Sequence, residues 1–511
     1  MSVSEQARTR PSYQHAAGNF RIQEAIAGLQ GDLQDGLNAC VECCDRHTGS
    51  NRTALRCLDG EENLTEYSFE QLKDLSGRVA NLFASLGVKP GDVVAGLLPR
   101  KIDLVAVILG TWRLGAVYQP LFTAFGPKAI EHRLTTSEAS LIVTDHANRA
   151  KLDDISHCPA IVTVASEGEH VAEADTDFRS GIAAQSPDFA PVMRRGDDLM
   201  MMMSTSGTTG LPKGVPVPLH ALLSFAAYMR DAVDLRDDDV FWNIADPGWA
   251  YGLYYALTGP LLLGQATTLF EGGFTADSTY RIIDKLGVTS LAGSPTAFRL
   301  LIAAGDAAAA GAKGRLRVVS SAGEPLNPEI IRWFAASLDA PIHDHYGQTE
   351  LGMCVNNHHG LDHPVRAGSA GLAMPGYRIA VLDDEGNEFE PDASISFIGR
   401  SDDVITSSGY RIGPFDVESA LIEHPAVTEA AVVGVPDPQR TEIVKAFVIL
   451  GNGHMAGQEL AEQLQQHVRK RLSAHAYPRE IEFVAELPKT PSGKIQRFIL
   501  RKAEIAKQQQ S

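Results

Sequence analysis

The sequence predicts a parallel α/β fold in a large N-terminal domain, followed by a small α+β domain. Three observations carry this reading. Strand and helix patterns alternate along most of the first 350 residues, which is the signature of βαβ units. The texture changes near Gly399, beyond which only short mixed elements follow. The composition, 44% hydrophobic and 21% charged over 511 residues, is that of a packed globular chain and excludes a mainly disordered, collagen-like or coiled-coil one.

The first 60 residues show no clean period. Then Ser68 and Gln71 have the spacing of a capping box. Leu72, Leu75, Val79, Leu82, Phe83 and Leu86 recur on one helical face, and Gly87 stands just past the end. Pro90-Gly91-Asp92 turns the chain into a buried strand, Val93–Leu98. An apolar helix, Leu104–Leu114, leads into Gly115–Tyr118, and Ser140–Thr144 reads as a further strand. From Ser166 to Asp198 the chain is polar, acidic and mostly loop. It ends in Leu199–Met203, a wholly apolar run suited to a buried strand, its methionines core packing. Alternation resumes from Val240 to Tyr346, interrupted by an Ala/Gly loop around Ala307–Gly314. A boundary at Arg400–Asp403 gives domains of 1–400 and 401–511. The second holds a helix at Val417–Leu421, a strand at Ala430–Val435 and a helix at Leu460–Leu472 before a basic tail. There is no internal repeat.

Charge narrows the partners. With 45 Lys+Arg against 63 Asp+Glu the net charge is −18, which repels polyanions at long range. A general nucleic-acid binder or anionic-membrane protein is disfavoured, and any polyanionic ligand must be held by local donors. No uncharged apolar run reaches the ~20 residues of a spanning helix. The longest greasy stretch, Leu104–Phe122, carries Arg113 in its middle. The N-terminus lacks an apolar signal core, and 6 Cys are no disulfide scaffold. These features predict a soluble cytoplasmic protein; none specifies an oligomer.

The strongest chemical signal is the run from Ser204 to Gly214, which leaves the strand Leu199–Met203 directly. It carries five hydroxyls, three glycines and Lys213. Glycines let a backbone approach a ligand closely, while hydroxyls and N–H groups ring phosphate oxygens and a lysine adds a cation. The P-loop of NTPases is excluded, since Gly-Lys-Ser/Thr is absent here. Further motifs follow in order: Ser321-Ala322-Gly323-Glu324-Pro325, Asp344-His345-Tyr346-Gly347-Gln348-Thr349-Glu350, Gly399-Arg400-Ser401-Asp402-Asp403, Ser408-Gly409-Tyr410-Arg411-Ile412, and Pro488 to Lys494.

This series resembles the adenylate-forming superfamily of acyl-CoA synthetases, peptide-synthetase adenylation domains and firefly luciferase, and is most similar to the acetyl- and medium-chain acyl-CoA synthetases. The resemblance implies a large domain of βαβ subdomains plus a distorted β-barrel, and a small mobile domain carrying the catalytic lysine. It also implies ATP, Mg²⁺ and coenzyme A. On the ATP side it places Thr205, Ser206, Gly207, Thr208, Thr209, Gly210 and Lys213, then Gly323, Glu324 and Pro325, then Asp344, His345, Tyr346, Gly347, Gln348 and Thr349. In this reading Tyr346 stacks on adenine, Thr349 bonds the α-phosphate, and Glu350 helps hold Mg²⁺. Arg400 reaches the ribose, and Arg411 approaches the phosphates. Lys494 bridges the acid carboxylate and the α-phosphate as charge builds on phosphorus. Asp402 matches the hinge about which the small domain rotates, carrying Lys494 away and Gly409 to the thiol tunnel. Ser408, Gly409 and Arg469 match CoA positions, Arg469 reading equally as a helix-surface charge. Ile422, His424 and Val427 match positions around an optional structural Mg²⁺, although His424-Pro425 also reads as a helix end.

The implied reaction joins a carboxylic acid to CoA through acyl-AMP. A carrier-protein pantetheine as thiol acceptor and a catalytically impaired nucleotide-binding relative are the alternatives. Trp249, Ala250 and Tyr251 match a wall of the acid pocket. Acetate-specific relatives have Trp where this chain has Gly347 and Val where it has Ala322, so the resemblance implies a deeper pocket unless Tyr251 or Tyr254 refills it. One departure is large: after Glu388, relatives carry a few dozen residues with a Thr-Gly-Asp that clamps the ribose. Here Phe389 to Ala393 runs almost straight into the hinge. Two weaker patterns read blandly, Cys40-x-x-Cys43-Cys44 as buried or free thiols and His358, His359 and His363 as a solvated turn.

Overall fold

The capping box predicted at Ser68 forms. Its Oγ accepts from the Gln71 N–H at 3.3 Å and the Gln71 side chain accepts from the Ser68 N–H at 2.8 Å. This opens the helix Phe69–Ser85, whose buried face packs on the next helix, Ile102–Arg113. The two approach closely at Gly110, where a Cβ would lie 2.4 Å from Val79. Arg113, the charge inside the greasy stretch, is only 2% exposed. It is tolerated there because Asp45 pairs with it and Ser76 Oγ accepts from its Nε at 2.9 Å.

This computed structural model describes residues 10–34, 36–205, 212–383, 385–389, 395, 403–407, 410–437, 440–451, 453–473, 475–490 and 494–509. The chain divides into one unit of 1–326 with 330–395 and another of 327–329 with 396–511.

The first unit holds two large sheets. One runs in the order Thr176–Asp177, Ala160–Val164, Leu141–Asp145, Val93–Leu97, Val117–Pro120, Leu199–Thr205, Lys213–Pro218, with every neighbouring pair parallel except the last. The other runs Leu372–Ala373, Gly352–Asn356, Ile342–Gln348, Val318–Ala322, Ser290–Gly293, Phe241–Asn243, Thr267–Phe270, Thr53–Leu58, Leu64–Ser68. It is parallel in the middle and antiparallel at both edges. Strands covered on both faces must be apolar or small throughout, and Val93–Leu97, Ser290–Gly293 and Val318–Ala322 are buried at every position. The last part of this unit is antiparallel, ending in the ribbon of Val381–Leu382 with Glu388–Phe389. One expected loop is corrected: Asp306–Ala309 and Ala310–Ala312 are helical turns. Alanine is the best helix former, and Ala309 and Ala312 are buried in the core around Tyr280 and Phe334.

The second unit is α+β, as the sequence predicts. Tyr410–Ile412, Ile405–Ser407, Thr441–Leu450 and Val427–Asp437 pair antiparallel, and Glu480–Phe483 joins Thr441–Leu450 in parallel. Helices Pro414–Ile422 and Gln458–Arg471 bury Val417, Leu421, Leu464 and Val468 on one face of this sheet. Leu500, on the helix Arg497–Gln509, packs against the cluster around Val433 and Phe447. Among the described residues no helix is long and apolar enough to cross a membrane.

Candidate active site

The Gly/Thr-rich run sits at a hairpin. Its stems are Leu199–Thr205 and Lys213–Pro218, with Thr205 opposite Lys213 and Ser204 opposite Gly214. Met200, Met201 and Met203 are buried in the main core, which fixes the first stem, and Lys213 is exposed. His132 Nε2 lies 2.9 Å from the Pro212 carbonyl oxygen at the base of the second stem. Ser206, Gly207, Thr208, Thr209 and Gly210 lie outside the described residues.

The next two motifs are brought together by the second sheet. Val318–Ala322 and Ile342–Gln348 are parallel neighbours, with Ser321 opposite Asp344 and Ala322 opposite His345. Gly323-Glu324-Pro325 and Thr349-Glu350 therefore leave the carboxyl ends of adjacent parallel strands, where open α/β sheets bind ligands. The turn needs Gly323, whose φ is +98°. Asp344 ties the two segments: its Oδ2 accepts from the Leu326 N–H at 3.2 Å. Its Oδ1 is buried without a hydrogen-bond partner, and burial pushes the carboxyl up to about 8. Such an orphaned oxygen fits a ligand that brings its own polar group, as a nucleobase does. Tyr346 is half-buried and its hydroxyl accepts from Gln348 Nε2 at 2.8 Å. The Thr349 carbonyl accepts from the Tyr254 hydroxyl at 3.1 Å, and Glu350 is exposed.

Two side chains of this set point elsewhere. The His345 ring is buried between the Tyr228 hydroxyl, 2.8 Å from Nδ1, and the Asn357 carbonyl, 3.2 Å from Nε2. Glu324 accepts from Thr296 Oγ1 at 2.8 and 3.0 Å and from Arg299 at 3.3 Å, so its carboxylate is held by a neighbouring helix.

Where the resemblance expects the acid wall, Trp249 packs against Phe122 and Phe125 with ring centroids 5.7 and 5.4 Å away, and its indole Nε1 is buried without a partner. Ala250 opens the short helix Ala250–Gly252, and Tyr251 packs edge-on to Tyr255. Ala322 is buried. Gly347 is closely packed against the neighbouring strand. The strand pairing slips between Tyr346 and Gly347, and a Cβ there would lie 2.3 Å from the Gly352 carbonyl oxygen. A larger side chain there must therefore displace the neighbouring strand as well as enter any acid pocket. Tyr254 is buried and stacked on Phe225 at 4.6 Å.

In the second unit, the Lys494 backbone is bonded to Thr490. Its N–H donates to Thr490 Oγ1 at 3.0 Å, the Thr490 N–H donates to the Lys494 carbonyl at 2.8 Å, and Lys489 Nζ pairs with Glu429 at 2.7 Å. Arg411 pairs with Thr406 in the strand Tyr410–Ile412, its side chain lying outside the described residues, as do Arg400, Asp402, Ser408 and Gly409. Arg469 is exposed on its helix, its guanidinium 5.7 Å from the Tyr477 ring. Ile422 ends its helix, and the following turn is self-contained. The Val427 N–H donates to the His424 carbonyl at 2.9 Å, and His424 Nδ1 accepts from the Ala426 N–H at 3.3 Å. Both oxygen and ring nitrogen are thus already engaged, as a helix end requires. Sequence reasoning passed over Asp403, which lies within ion-pair reach of Arg497 and Arg501 at 3.9 and 3.5 Å. In the sequence Arg497 and Arg501 stand out only as part of a basic tail.

The solvated histidine turn is also corrected. His358 and His359 are each 1% exposed. His359 stacks on His343 at 3.9 Å and its Nε2 lies 2.9 Å from the Val319 carbonyl. His363 Nε2 accepts from the His358 N–H at 2.9 Å. Among the described residues no group of His, Cys, Asp or Glu is arranged to hold a metal. The three cysteines of the Cys40 cluster are buried free thiols. Burial pushes His343 and His358 down to about 4, whereas the unfolded chain takes up these protons near ~6.5. Stability carried by the neutral rings is therefore complete above ~6.5 and is lost as pH falls from there towards 4. Urea midpoints measured across this window should decline, and more weakly in His358→Asn; a flat wild-type curve contradicts this.

Comparison with known proteins now bears on this geometry. The family pattern described as AMP-binding enzyme matches residues 43–395, and that of the AMP-binding enzyme C-terminal domain matches 416–494. An acetyl-coenzyme A synthetase of Bacillus subtilis is 36% identical over 97% of this chain and 95% of its own. Their alignment spans 548 positions, more than the 511 residues here, so the relative carries residues without counterpart in this chain. Among solved structures, a Brucella canis acyl-CoA synthetase is 65% identical, covering 98% of this chain and 100% of its own, with a TM-score of 0.78. An anthranilate CoA ligase solved with anthranoyl-AMP is 26% identical over 92% of this chain and 97% of its own, with a TM-score of 0.83. The chain belongs to the AMP-binding enzyme family.

Proposed function

We propose that this protein is an AMP-forming carboxylic acid–CoA ligase acting on short-to-medium-chain or bulky acids. The observation that carries the reading is the placement of the 321–325 and 344–350 segments at the carboxyl ends of neighbouring parallel strands. Similarity to acyl-CoA and acetyl-CoA synthetases along nearly the whole chain supports it.

In the first step a carboxylate oxygen attacks the α-phosphorus of ATP, the bond to pyrophosphate breaks, and acyl-AMP forms. In the second, a CoA thiolate attacks the acyl carbonyl and AMP leaves. Neither step requires an enzymic nucleophile, so the chain's task is positioning and charge stabilisation. Asp344 and the Tyr346 ring receive the base, the Thr349 hydroxyl and the Ser204–Gly214 run receive phosphate, and Lys494 meets the charge that grows during attack. Mg²⁺, when bound, neutralises phosphate charge, with Glu350 as its protein oxygen ligand. Arg469 and residues 408–409 serve CoA. A cytoplasmic setting is part of the proposal, supported by the cysteines, all free thiols.

The test is pyrophosphate release with MgATP and a panel of acids, followed by AMP release on adding CoA. Acid-dependent release in both stages is expected. Pyrophosphate without CoA-dependent AMP release indicates a carrier-protein acceptor, and no acid-dependent pyrophosphate overturns the proposal.

A further inference from the structure

Lys494 stands three residues ahead of the helix Arg497–Gln509. The segments on either side of residues 491–493 pair antiparallel. Lys489 bridges Ile495, the Gln496 N–H donates to the Pro488 carbonyl at 2.8 Å, and the Thr490 N–H donates to the Lys494 carbonyl at 2.8 Å. The first segment is fixed by Leu487, which is buried, and by the pair of Lys489 with Glu429. The second carries Lys494, then Ile495 packed against the cluster around Val433 and Phe447, and then Arg497.

Arg497 is held by a carboxylate that is itself held. Its Nε donates to Glu418 Oε1 at 2.8 Å and its Nη2 to Oε2 at 2.6 Å, a two-bond grip that a guanidinium offers and an ammonium does not. Glu418 is 5% exposed on the helix Pro414–Ile422, and its Oε1 also accepts from the Val432 N–H at 2.8 Å. Arg497 Nη1 lies 3.9 Å from Asp403, which follows the expected hinge residue. One guanidinium thus ties the segment bearing Lys494 to a helix and to the strand Val427–Asp437, all within the second unit.

We propose that Arg497, oriented by Glu418, is a positioning residue for Lys494. It sets where the ammonium stands during acyl-AMP formation without touching the substrate. The proposal rests on the ligase reading above. A lysine side chain is long and flexible, so the place its ammonium reaches depends on how firmly its backbone is fixed. A misplacement of about 1 Å costs a catalytic group up to ~100-fold. Capture of acyl-AMP by CoA, in which Lys494 has no part, does not call on this tie.

The experiment uses whichever of acetate, butyrate, hexanoate and benzoate the wild type turns over fastest, together with its synthetic adenylate. Pyrophosphate release and CoA-dependent AMP release are measured in wild type, Arg497→Lys, Glu418→Gln, Lys494→Ala and the double variant Arg497→Lys/Lys494→Ala. Lysine keeps the charge and loses the two-bond grip, while glutamine keeps an acceptor for the Val432 N–H, so neither leaves a bare buried charge. Each of the two should lower kcat for pyrophosphate release at least about tenfold, with KM for ATP and the capture of supplied adenylate within about threefold of wild type. In the Lys494→Ala background Arg497→Lys should lower adenylation no further, because the group it positions is gone. Should Arg497→Lys fail to fold, Glu418→Gln is read in the same way. Adenylation at the wild-type rate in both variants overturns the proposal, as does a further drop in the Lys494→Ala background. Equal loss in both half-reactions, or loss of folding in both variants, also overturns it and assigns the pair to the fold alone. A wild type without acid-dependent pyrophosphate release overturns the ligase reading first, so the two failures are told apart before any variant is compared.

Discussion

Lys494→Ala is expected to lower acyl-AMP formation by at least about 100-fold while sparing the capture of supplied acyl-AMP by CoA. The reason is differential binding: a cation that meets charge developing on phosphorus accelerates only the step in which that charge develops. The Lys494 backbone is held by the Thr490 hydroxyl and backbone, beside the Lys489–Glu429 pair. Removing the side chain beyond Cβ therefore leaves these bonds standing. Pyrophosphate release measures the first half-reaction, and AMP release from synthetic acyl-AMP with CoA measures the second. Equal loss in both contradicts a step-specific role. Thr490→Val should weaken the turn and reduce adenylation less than Lys494→Ala does.

The second large effect is at Gly347. Read from sequence against acetate-specific relatives, Gly347→Trp fills the deep end of an acid pocket and leaves short acids favoured. The geometry predicts a different result. A Cβ there meets the backbone oxygen of Gly352 at 2.3 Å and the Cα of Met353 at 2.8 Å, neither of which is the yielding end of a side chain. Overpacking of this kind costs about 1–3 kcal/mol or more and displaces the strand that carries Tyr346 and leads to Thr349. Gly347→Trp should lower the melting temperature and depress kcat/KM for all acids alike. A change in chain-length profile at unaltered stability shows instead that Gly347 opens onto the acid.

Much of the fold was legible because it follows from local patterns. The Ser68/Gln71 box, the apolar run at Leu199 and the all-apolar Val93 strand each state their own structure, since capping and two-sided burial leave marks in consecutive residues. The Ala-rich stretch after Asp306 was misread because its glycines suggested a loop, while its alanines gain burial against Tyr280 and Phe334 only once those are in place. The histidines near 358 were misread for a related reason. A polar residue in a loop looks solvated until the strands Val318–Ala322 and Ile342–Gln348 and the segment around Tyr13 cover it.

The sequence by itself determined the two-part α/β and α+β organisation, the Gly/Thr-rich run with the motifs that follow it, and their order. These are contiguous strings whose chemistry resides in the residues themselves. Tertiary structure alone decided which of those residues keep a side chain for ligand. Asp344 does, with one buried oxygen unpartnered, whereas Glu324 is taken by Thr296 and Arg299, and His345 by Tyr228 and the Asn357 carbonyl. It also decided that Gly347 is a bulge and that an apolar cavity opens between Phe20 and Thr349. Hydrogen-bond partners and empty space are set by segments distant in sequence, so no window along the chain contains them.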